Sequence, residues 1–511
     1  MSDFLAPETL TLKEAGETLS TELELRVGPV REEQRTFYDT FDGLLHARGF
    51  SVVREGSDLA LICSDSGEER ARQPSKDAND TMVALDLEPG RFREALTAIV
   101  DVRALLPVAR VQSRVRALDV LDDERKTVVR MMLEVPELLC PSGSKLPLRP
   151  RLRLAPVRGY DAELDELHTR LRSSGFLPAD QPLVDEAVTA SGGAPGGTSS
   201  KIDVPLHYQQ RSDAAAAAIL RRLLEVMDAN LDGAIADIDS EFLHDFRVAV
   251  RRSRAVQREL RGAFPPADLA RFRTGFRWLQ QATGDVRDLD VYVLEFDHYR
   301  EMVPEVMRAD LDPLLKVLRD RRRVARRKMI RALRSDRATR LRLQWASFLE
   351  QLVELPESDR PEAARPIGEL AGERIGKVYR QMVKMGRQID EASPPERFHE
   401  LRKKGKELRY LLELFGGPLY PSEVVKPMIG ALKALQDVLG RHQDREVQVA
   451  TVRSLGNDVA ILSGGATTLM AMGVLVERLF DDEQAARGLF AERFAAFASK
   501  DQRILVKDTF A

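Results

Sequence analysis

The chain has 511 residues, of which 43% are hydrophobic and 31% are charged. At roughly 150 residues per domain, this length predicts two to four domains with ample core. The two cysteines, Cys63 and Cys140, are too few and too far apart for a disulfide framework or a metal-ligand cluster. The first twenty residues lack the basic start and apolar core of a secretory signal, so we expect a cytoplasmic protein.

The charges are distributed unevenly between the two parts of the chain. Residues 1–200 contain 25 basic and 34 acidic side chains, whereas residues 201–511 contain 53 basic and 47 acidic ones. This change of sign predicts separate domains, with the basic one facing a polyanion or an acidic partner.

The first part of the chain alternates short β-prone runs with turn residues and acidic clusters. We predict strands at residues 23–27, 50–53, 81–87, 108–115 and 128–135. We predict helices at residues 34–48, 91–100 and 161–173. This order of elements is typical of an α+β domain with an antiparallel sheet.

A Gly/Ser/Pro-rich segment divides the chain. Residues 190–201 read as a flexible linker between a domain at 1–189 and a domain at 202–511. The second domain shows long helical periodicity with proline breaks, so we expect it to be all-α. Residues 459–476 carry no charge but include several Gly and Thr residues, which favours a buried helix over a membrane span.

Two motifs recur in the helical part in the same order. The segment HDFRVAVRRSR at 244–254 resembles HELRKKGKELR at 399–409, 155 positions later. The segment LQQATGDVRD at 279–288 resembles LQDVLGRHQD at 435–444, 156 positions later. The simplest origin is a tandem duplication, which predicts two helical bundles at about 213–345 and 365–498, related by a pseudo-twofold axis.

The first motif of each repeat places basic side chains along one face of a helix. Helical offsets of 0, 3, 7 and 10 fall within an arc of about 80°. The first stripe is His244, Arg247, Arg251 and Arg254, and the second stripe is His399, Arg402, Lys406 and Arg409. Because like charges on one helix face repel, we expect an anion to neutralise the stripes; a solvated basic face is the alternative.

The second motif supplies a carboxylate. Gly284 and Gly440 are expected to end or bend a helix, and Asp288 and Asp444 follow four residues later. Two roles stay open for each carboxylate, namely holding clustered arginines in place or capping the next helix.

A further basic segment, residues 319–342, contains twelve basic and two acidic side chains. These cover every face of a helix, so we expect most of them to be solvated or paired with acids.

The low content of aromatic residues indicates which kind of anion the stripes bind. Single-strand nucleic-acid binders interleave aromatic residues for base stacking, but aromatics make up only 6% of this chain. We expect Phe246, Trp278 and Tyr410 to be core residues. Basic side chains without stacking partners suit a ligand made only of phosphate, and inorganic polyphosphate is such a ligand.

On the motifs HDFRVAVRRSR with TGDVRDLD, and HELRKKGKELRYL with LGRHQD, residues 213–498 resemble the conserved-histidine α-helical domain, CHAD. The resemblance implies a helical bundle with a basic pore that binds long-chain polyphosphate, and an association with polyphosphate granules. It implies polyphosphate-contacting roles for His244, Arg247, Arg251, Arg252, Arg254, Arg287, His399, Arg402, Lys403, Lys406, Arg409 and Arg441.

The first domain resembles another family through ELELR at 22–26, FYDTFD at 37–42 and PVARVQSRVR at 107–116. These segments resemble the CYTH or triphosphate-tunnel family over residues 20–190. Its members hydrolyse or cyclise triphosphates inside an antiparallel β-tunnel, and CYTH–CHAD fusions are common. The resemblance implies a tunnel site at Glu22, Glu24, Arg26, Arg114 and Arg116.

Departures from the CYTH pattern indicate a degenerate tunnel. Residues 59–63 are apolar where the family has a phosphate-binding lysine, and residues 148–154 carry arginines where it has acidic metal ligands. Loss of these ligands removes the Mg²⁺ or Mn²⁺ ion that bridges triphosphate oxygens. We therefore expect no catalytic residue, no metal site and no cofactor.

The sequence favours a protein that binds inorganic polyphosphate, with no membrane association. Two alternatives stay open. One is a divalent-metal inorganic triphosphatase, using Mg²⁺ or Mn²⁺, in which the CHAD part captures substrate. The other uses the same stripes for nucleic acid or an acidic protein, nucleic acid being the less favoured partner. The oligomeric state is not predicted.

Overall fold

The computed structural model describes residues 2–7, 14, 17, 19–21, 23–75, 80–390 and 392–510. The chain divides into two compact units, Met1–Ser200 and Lys201–Ala511. The linker predicted at residues 190–201 includes this boundary. Its later residues are held by the first unit, where Thr198 N donates to Phe41 O at 2.9 Å.

The first unit is built on one antiparallel sheet. Its strands are β1 (Ser2–Leu5), β2 (Leu25–Thr40), β3 (Phe50–Glu55), β4 (Asp58–Cys63), β5 (Glu69–Pro74), β6 (Met82–Val83), β7 (Ala104–Leu121), β8 (Thr127–Leu139), β9 (Lys145–Pro147), β10 (Arg151–Pro156) and β11 (Leu177–Pro178). Across the described residues the strand order is β11-β1-β10-β8-β7-β2-β3-β4-β5, with β6 beside β7 and β9 beside β8.

Three helices cover parts of this sheet. They are α1 (Arg91–Val100), α2 (Asp161–Ser173) and α3 (Leu183–Ala190). Each buries an apolar side against a separate cluster of strand residues; for example, Leu96 packs with Tyr38, and Leu167 packs with Leu118. The predicted α+β class with an antiparallel sheet is confirmed, and the sheet is consistent with a CYTH-like tunnel.

The helix predicted at residues 34–48 is wrong. Strand β2 continues through Thr40, and the helical geometry after it is limited to a single turn at His46–Arg48. Phe37 and Tyr38 pair with both β3 and β7, which fixes them as extended. The first half of β2 is mostly exposed, so it lacks the apolar alternation by which a strand is recognised.

The second unit is all-helical. Its helices are α4 (Ser212–Ala236), α5 (Ser240–Glu259), α6 (Pro266–Ala282), α7 (Gly284–Leu294), α8 (Phe296–Met302), α9 (Asp312–Leu333), α10 (Asp336–Gln351), α11 (Ile367–Gly386), α12 (Pro395–Leu411), α13 (Gly417–Leu419), α14 (Ser422–Ser454), α15 (Gly456–Ala460), α16 (Gly465–Gly488), α17 (Phe490–Phe497) and α18 (Lys500–Thr509). The predicted all-α class is confirmed.

The helix boundaries reproduce the sequence repeat. Helices α4 and α11 begin 155 positions apart, and so do α5 and α12. The repeats differ at the second motif. A break at Thr283 separates α6 from α7, whereas the corresponding α14 runs without interruption through Gly440. The prediction that a helix ends at Gly440 is therefore wrong.

The core of the second unit combines aromatic clusters with a shared apolar cluster. Fully buried Trp345 packs 4.5 Å from Phe272, measured between ring centroids. One cluster draws residues from both repeats, including Leu314 and Leu475. Residues 459–476 do not form one helix, because a turn separates α15 from α16. None of the helices in the described residues has the length and apolarity that a membrane crossing requires.

Candidate functional site

The two stripes lie on α5 and α12. Asp239 caps α5 by accepting hydrogen bonds from the backbone N–H groups of Glu241 and Phe242, while Pro395 opens α12 at a position where its missing N–H costs nothing. Phe246 and Leu401 are among the residues that bury the apolar sides of these helices. Each stripe is therefore carried on a fixed backbone.

Arg247 is the most buried side chain of the first stripe. It is only 8% exposed, and its Nη1 donates to Gln280 O and Thr283 Oγ1, both at 2.9 Å. Burial lowers the pKa of Arg247, and repulsion from Arg251 lowers it further. The acceptors are neutral, so these hydrogen bonds add no negative charge, and Asp288 and Asp285 attract Arg247 only over a longer range.

Arg402 occupies the equivalent position in the second stripe, but its partner is charged. Its Nη2 lies 2.8 Å from Asp444 Oδ1, and the neighbouring His399 Nδ1 contacts Gln443 Oε1. Asp444 and Asp288 both lie inside helices, so neither caps one. Asp444 holds an arginine in place, whereas Asp288 interacts with Arg247 only over a longer range.

Glu413 lies in the π-helical segment Leu412–Gly416 that follows α12, and it binds one arginine from each repeat. Arg252 Nη2 lies 2.7 Å from Glu413 Oε2, and Arg409 Nε lies 2.6 Å from Glu413 Oε1. A second cross-pair joins Arg258 to Glu407 at 3.6 Å. Positions 252 and 407, and likewise 258 and 413, are equivalent in the repeat, so the two pairs exchange places under a twofold rotation, as expected for the predicted pseudo-symmetry.

Arg251 and Lys406 lie at the centre of the site. They are equivalent in the repeat, and Arg251 is close enough to lower the pKa of Lys406. The pKa of Lys406 falls to about 8, first through desolvation and then through repulsion from Arg402, Arg251 and Arg409, opposed by Asp444. Lys406 is nevertheless exposed. Within the described residues, neither side chain has an ion-pair partner.

Of the remaining residues predicted to contact polyphosphate, some lie near the stripes and others lie on other surfaces. Arg254 donates to Gln280 Oε1, and Arg287 Nη1 lies 3.3 Å from Glu241 Oε1; both stay near α5, where His244 is half-buried. Lys403 pairs with Glu400 on its own helix. Arg441 binds Asp482 on α16 instead of reaching the stripes.

The predicted tunnel residues of the first unit are not brought together. Glu22 lies outside the described residues. Glu24 is exposed and 3.7 Å from Arg125, and Arg26 pairs with Asp119 at 2.8 Å. Exposed Arg114 stands opposite Glu32 in the sheet register, and Arg116 Nε donates to Gly28 O at 3.1 Å.

Other polar side chains of this unit are buried, and one group of them lies in the sheet. Arg35 forms an ion pair with Glu134, whose Oε1 also accepts from Ser113 Oγ at 2.5 Å. Burial, followed by repulsion from Arg153, lowers the pKa of Arg35 to about 10. Arg35 and Arg153 line a cavity of about 160 Å³. The alternation of Arg35, Phe37 and Asp39 along β2 is the sequence signal that could have located this group.

Half of the basic side chains in segment 319–342 have a partner among the described residues. Five of its cations pair with carboxylates: Arg321, Arg322, Arg323, Arg326 and Arg342. Arg337 lies over the ring of Trp278, 4.2 Å from its centroid. Phe246 is a core residue as predicted, whereas Trp278 and Tyr410 are only half-buried. Among the described residues, no group of three or more His, Cys, Asp or Glu side chains could hold a metal ion.

Residues 218–453 match the family model of the CHAD domain, so the helical unit contains a CHAD domain, as the sequence motifs predict. Two uncharacterized proteins of Mycobacterium tuberculosis, MT2285 and Rv2226, are each 26% identical to the chain over 291 residues. The matched region is 56% of this chain and 52% of each relative, so the chain spans about half the length of the curated relatives it matches.

Two solved structures are also similar to part of this chain. The CHAD domain from the plant Ricinus communis is 24% identical with a TM-score of 0.46, over 56% of this chain and 96% of that one. PptA from Streptomyces chartreusis is 17% identical with a TM-score of 0.42, over 56% of this chain and 99% of that one.

Proposed function

We propose that the CHAD domain binds inorganic polyphosphate across the two stripes, with Arg251 and Lys406 as the central contacts. One observation carries this proposal. Arg251 and Lys406 are equivalent in the repeat and lie close to each other, and neither has an acidic partner among the described residues. Other cations of the site are held by Glu413, Asp444 or neutral acceptors, which leaves the centre to an external anion.

The electrostatics support a ligand of high charge density. The pKa of Lys406, lowered to about 8, still leaves this lysine about nine-tenths protonated at pH 7. Protonated Lys406 and the neighbouring arginines then repel one another, and a bound polyanion would remove this repulsion. A flexible chain of phosphates can approach several cations along two helices at once, which a single small anion cannot do.

The surroundings favour phosphate without bases. Phe246 is fully buried beneath the first stripe, and the ring of Trp278 is already covered by Arg337. Base stacking on exposed aromatics is a major source of single-strand nucleic-acid affinity, and these two rings do not offer it. Tyr410, beside Arg409, is half-buried and is a single ring, so polyphosphate remains the proposed ligand and nucleic acid the less favoured alternative.

The test is a fluorescence-anisotropy titration of labelled long-chain polyphosphate at two salt concentrations. The double variant Arg251→Ala/Lys406→Ala should bind about tenfold or more weakly, because two charged contacts are lost. The quadruple variant Arg247→Ala/Arg251→Ala/Arg402→Ala/Lys406→Ala should bind more weakly still.

A matched control removes one exposed arginine and one exposed lysine outside the stripes, Arg221→Ala/Lys384→Ala. It should bind within about twofold of wild type, since the net charge changes equally but the stripes do not. Equal losses in both double variants would mean that only overall charge matters and would refute a site at the stripes.

A further inference from the structure

The basic segment 319–342 retains a set of cations that neither the core nor the stripes use. Six of its twelve basic residues have no ion pair or ring contact within the described part of the chain: Arg319, Arg327, Lys328, Arg331, Arg334 and Arg340. Three of these, Arg319, Arg327 and Arg331, lie on α9 within an arc of about 120°. They form an exposed ridge.

An apolar cleft runs beside this ridge. Val324 is 46% exposed and contributes to two adjacent clefts, one with Leu289, Val317 and Ala325 and the other with Ile330. Lys328 also borders both clefts. The cleft with Ile330 is lined by apolar side chains and by Arg327, Lys328 and Arg331. The cleft with Leu289 is also lined by Asp285, Asp320 and Asp458, so the cationic part of the surface is the cleft with Ile330.

We infer that this surface of α9, the α9 groove (Val324, Arg327, Lys328, Ile330 and Arg331), binds an acidic amphipathic helix of a partner protein. An amphipathic helix places apolar residues in a groove at spacings of three and four. Acidic residues at its edges would meet the free cations, and such complementarity selects partners and accelerates their encounter.

The apolar part distinguishes this partner from a polyanion. Polyphosphate carries no apolar surface and gains nothing from Val324 or Ile330. The cations that face away from the groove are already neutralised, since Arg322 and Arg326 bind Asp237. Three of the six cations without a partner in the described part of the chain, Arg327, Lys328 and Arg331, border the apolar cleft, where an amphipathic ligand can use both the charge and the apolar surface. This inference is independent of polyphosphate binding at the stripes.

The experiment uses the full-length chain and two labelled synthetic peptides of eighteen residues. One peptide has Leu on one helical face and Glu on the other, and the second is a scramble of the same composition without a face. The amphipathic peptide should bind at least about tenfold more tightly than the scramble. The variant Arg327→Glu/Arg331→Glu should lose about tenfold in affinity, and Val324→Asp should also weaken binding.

The control variant Arg221→Glu/Arg340→Glu makes the same charge change at exposed positions outside the groove. It should bind the amphipathic peptide within about twofold of wild type, and thermal melts should show that all variants are folded. Equal binding of both peptides, or equal losses in both double variants, would overturn the inference. If labelled polyphosphate bound here and lost affinity only in Arg327→Glu/Arg331→Glu, the groove would be a polyanion site and not a protein-docking surface.

Discussion

If the CHAD domain binds polyphosphate as proposed, Lys406 should make the affinity depend on pH, and one substitution should remove this dependence. In the free protein the pKa of Lys406 is about 8, because desolvation, Arg402, Arg251 and Arg409 outweigh the attraction of Asp444. A bound polyanion favours the protonated form and raises this pKa. Affinity should therefore be highest below pH 8 and fall as the pH rises above it.

The magnitude follows from proton linkage. If Lys406 stays protonated in the complex, the free lysine must take up a proton on binding above pH 8, and affinity falls by up to about tenfold between pH 7 and pH 9. Because Lys406 is exposed, solvent screening reduces this figure, and about fivefold is a reasonable expectation. Below about pH 7 the lysine is already charged, and its contribution becomes constant.

The measurement is anisotropy with labelled polyphosphate at constant salt from pH 6.5 to pH 9.5, on wild type and Lys406→Arg. Arginine keeps its proton throughout this range, so the variant should retain affinity at pH 7 and lose most of the decline above pH 8. Any titration of the ligand itself affects both proteins equally. Identical pH profiles for the two proteins would refute the assignment of this effect to Lys406.

Two further substitutions test the carboxylates that hold arginines. Glu134→Gln leaves Arg35 buried without a charged partner, so the free energy of unfolding measured in urea should fall by about 3 kcal/mol; an unchanged value would show that the pair contributes nothing. Glu413→Gln releases Arg252 and Arg409, so polyphosphate affinity should rise about threefold while stability falls by about 1 kcal/mol or less. A decrease in affinity would instead mean that Glu413 positions these arginines for the ligand.

The helical unit could be predicted from the sequence because its motifs are short segments of the chain and each motif occurs twice. The motifs at 244–254 and 399–409 recur 155 positions apart, and the helices that carry them begin at the same separation. Helical periodicity also places each stripe on one face without knowledge of the fold. The CHAD resemblance and the all-α class follow from these two regularities.

The carboxylate that pairs with each cation could not be predicted, because it depends on how the helices of the two repeats pack against each other. Arg252 reaches Glu413 from the other repeat, and Arg441 turns to Asp482 on α16; both contacts join residues far apart in the chain. The buried Arg35–Glu134 pair of the first unit was missed for a related reason. Arg35 and Glu134 meet across β7, and neither belongs to a short motif.

The basic residues of the two stripes have the same spacing, but the two stripes differ in how many of these residues are paired with a carboxylate. Arg247 is anchored by a backbone carbonyl and a threonine hydroxyl, whereas Arg402 is neutralised by Asp444. The break between α6 and α7 at Thr283 supplies the neutral anchor, and the continuous α14 supplies the carboxylate instead. At equal spacing, the first stripe therefore presents more uncompensated positive charge than the second. A polyanion that crosses both helices should place its most ordered phosphates against α5, and Asp444→Asn should reduce that difference by freeing the charge of Arg402.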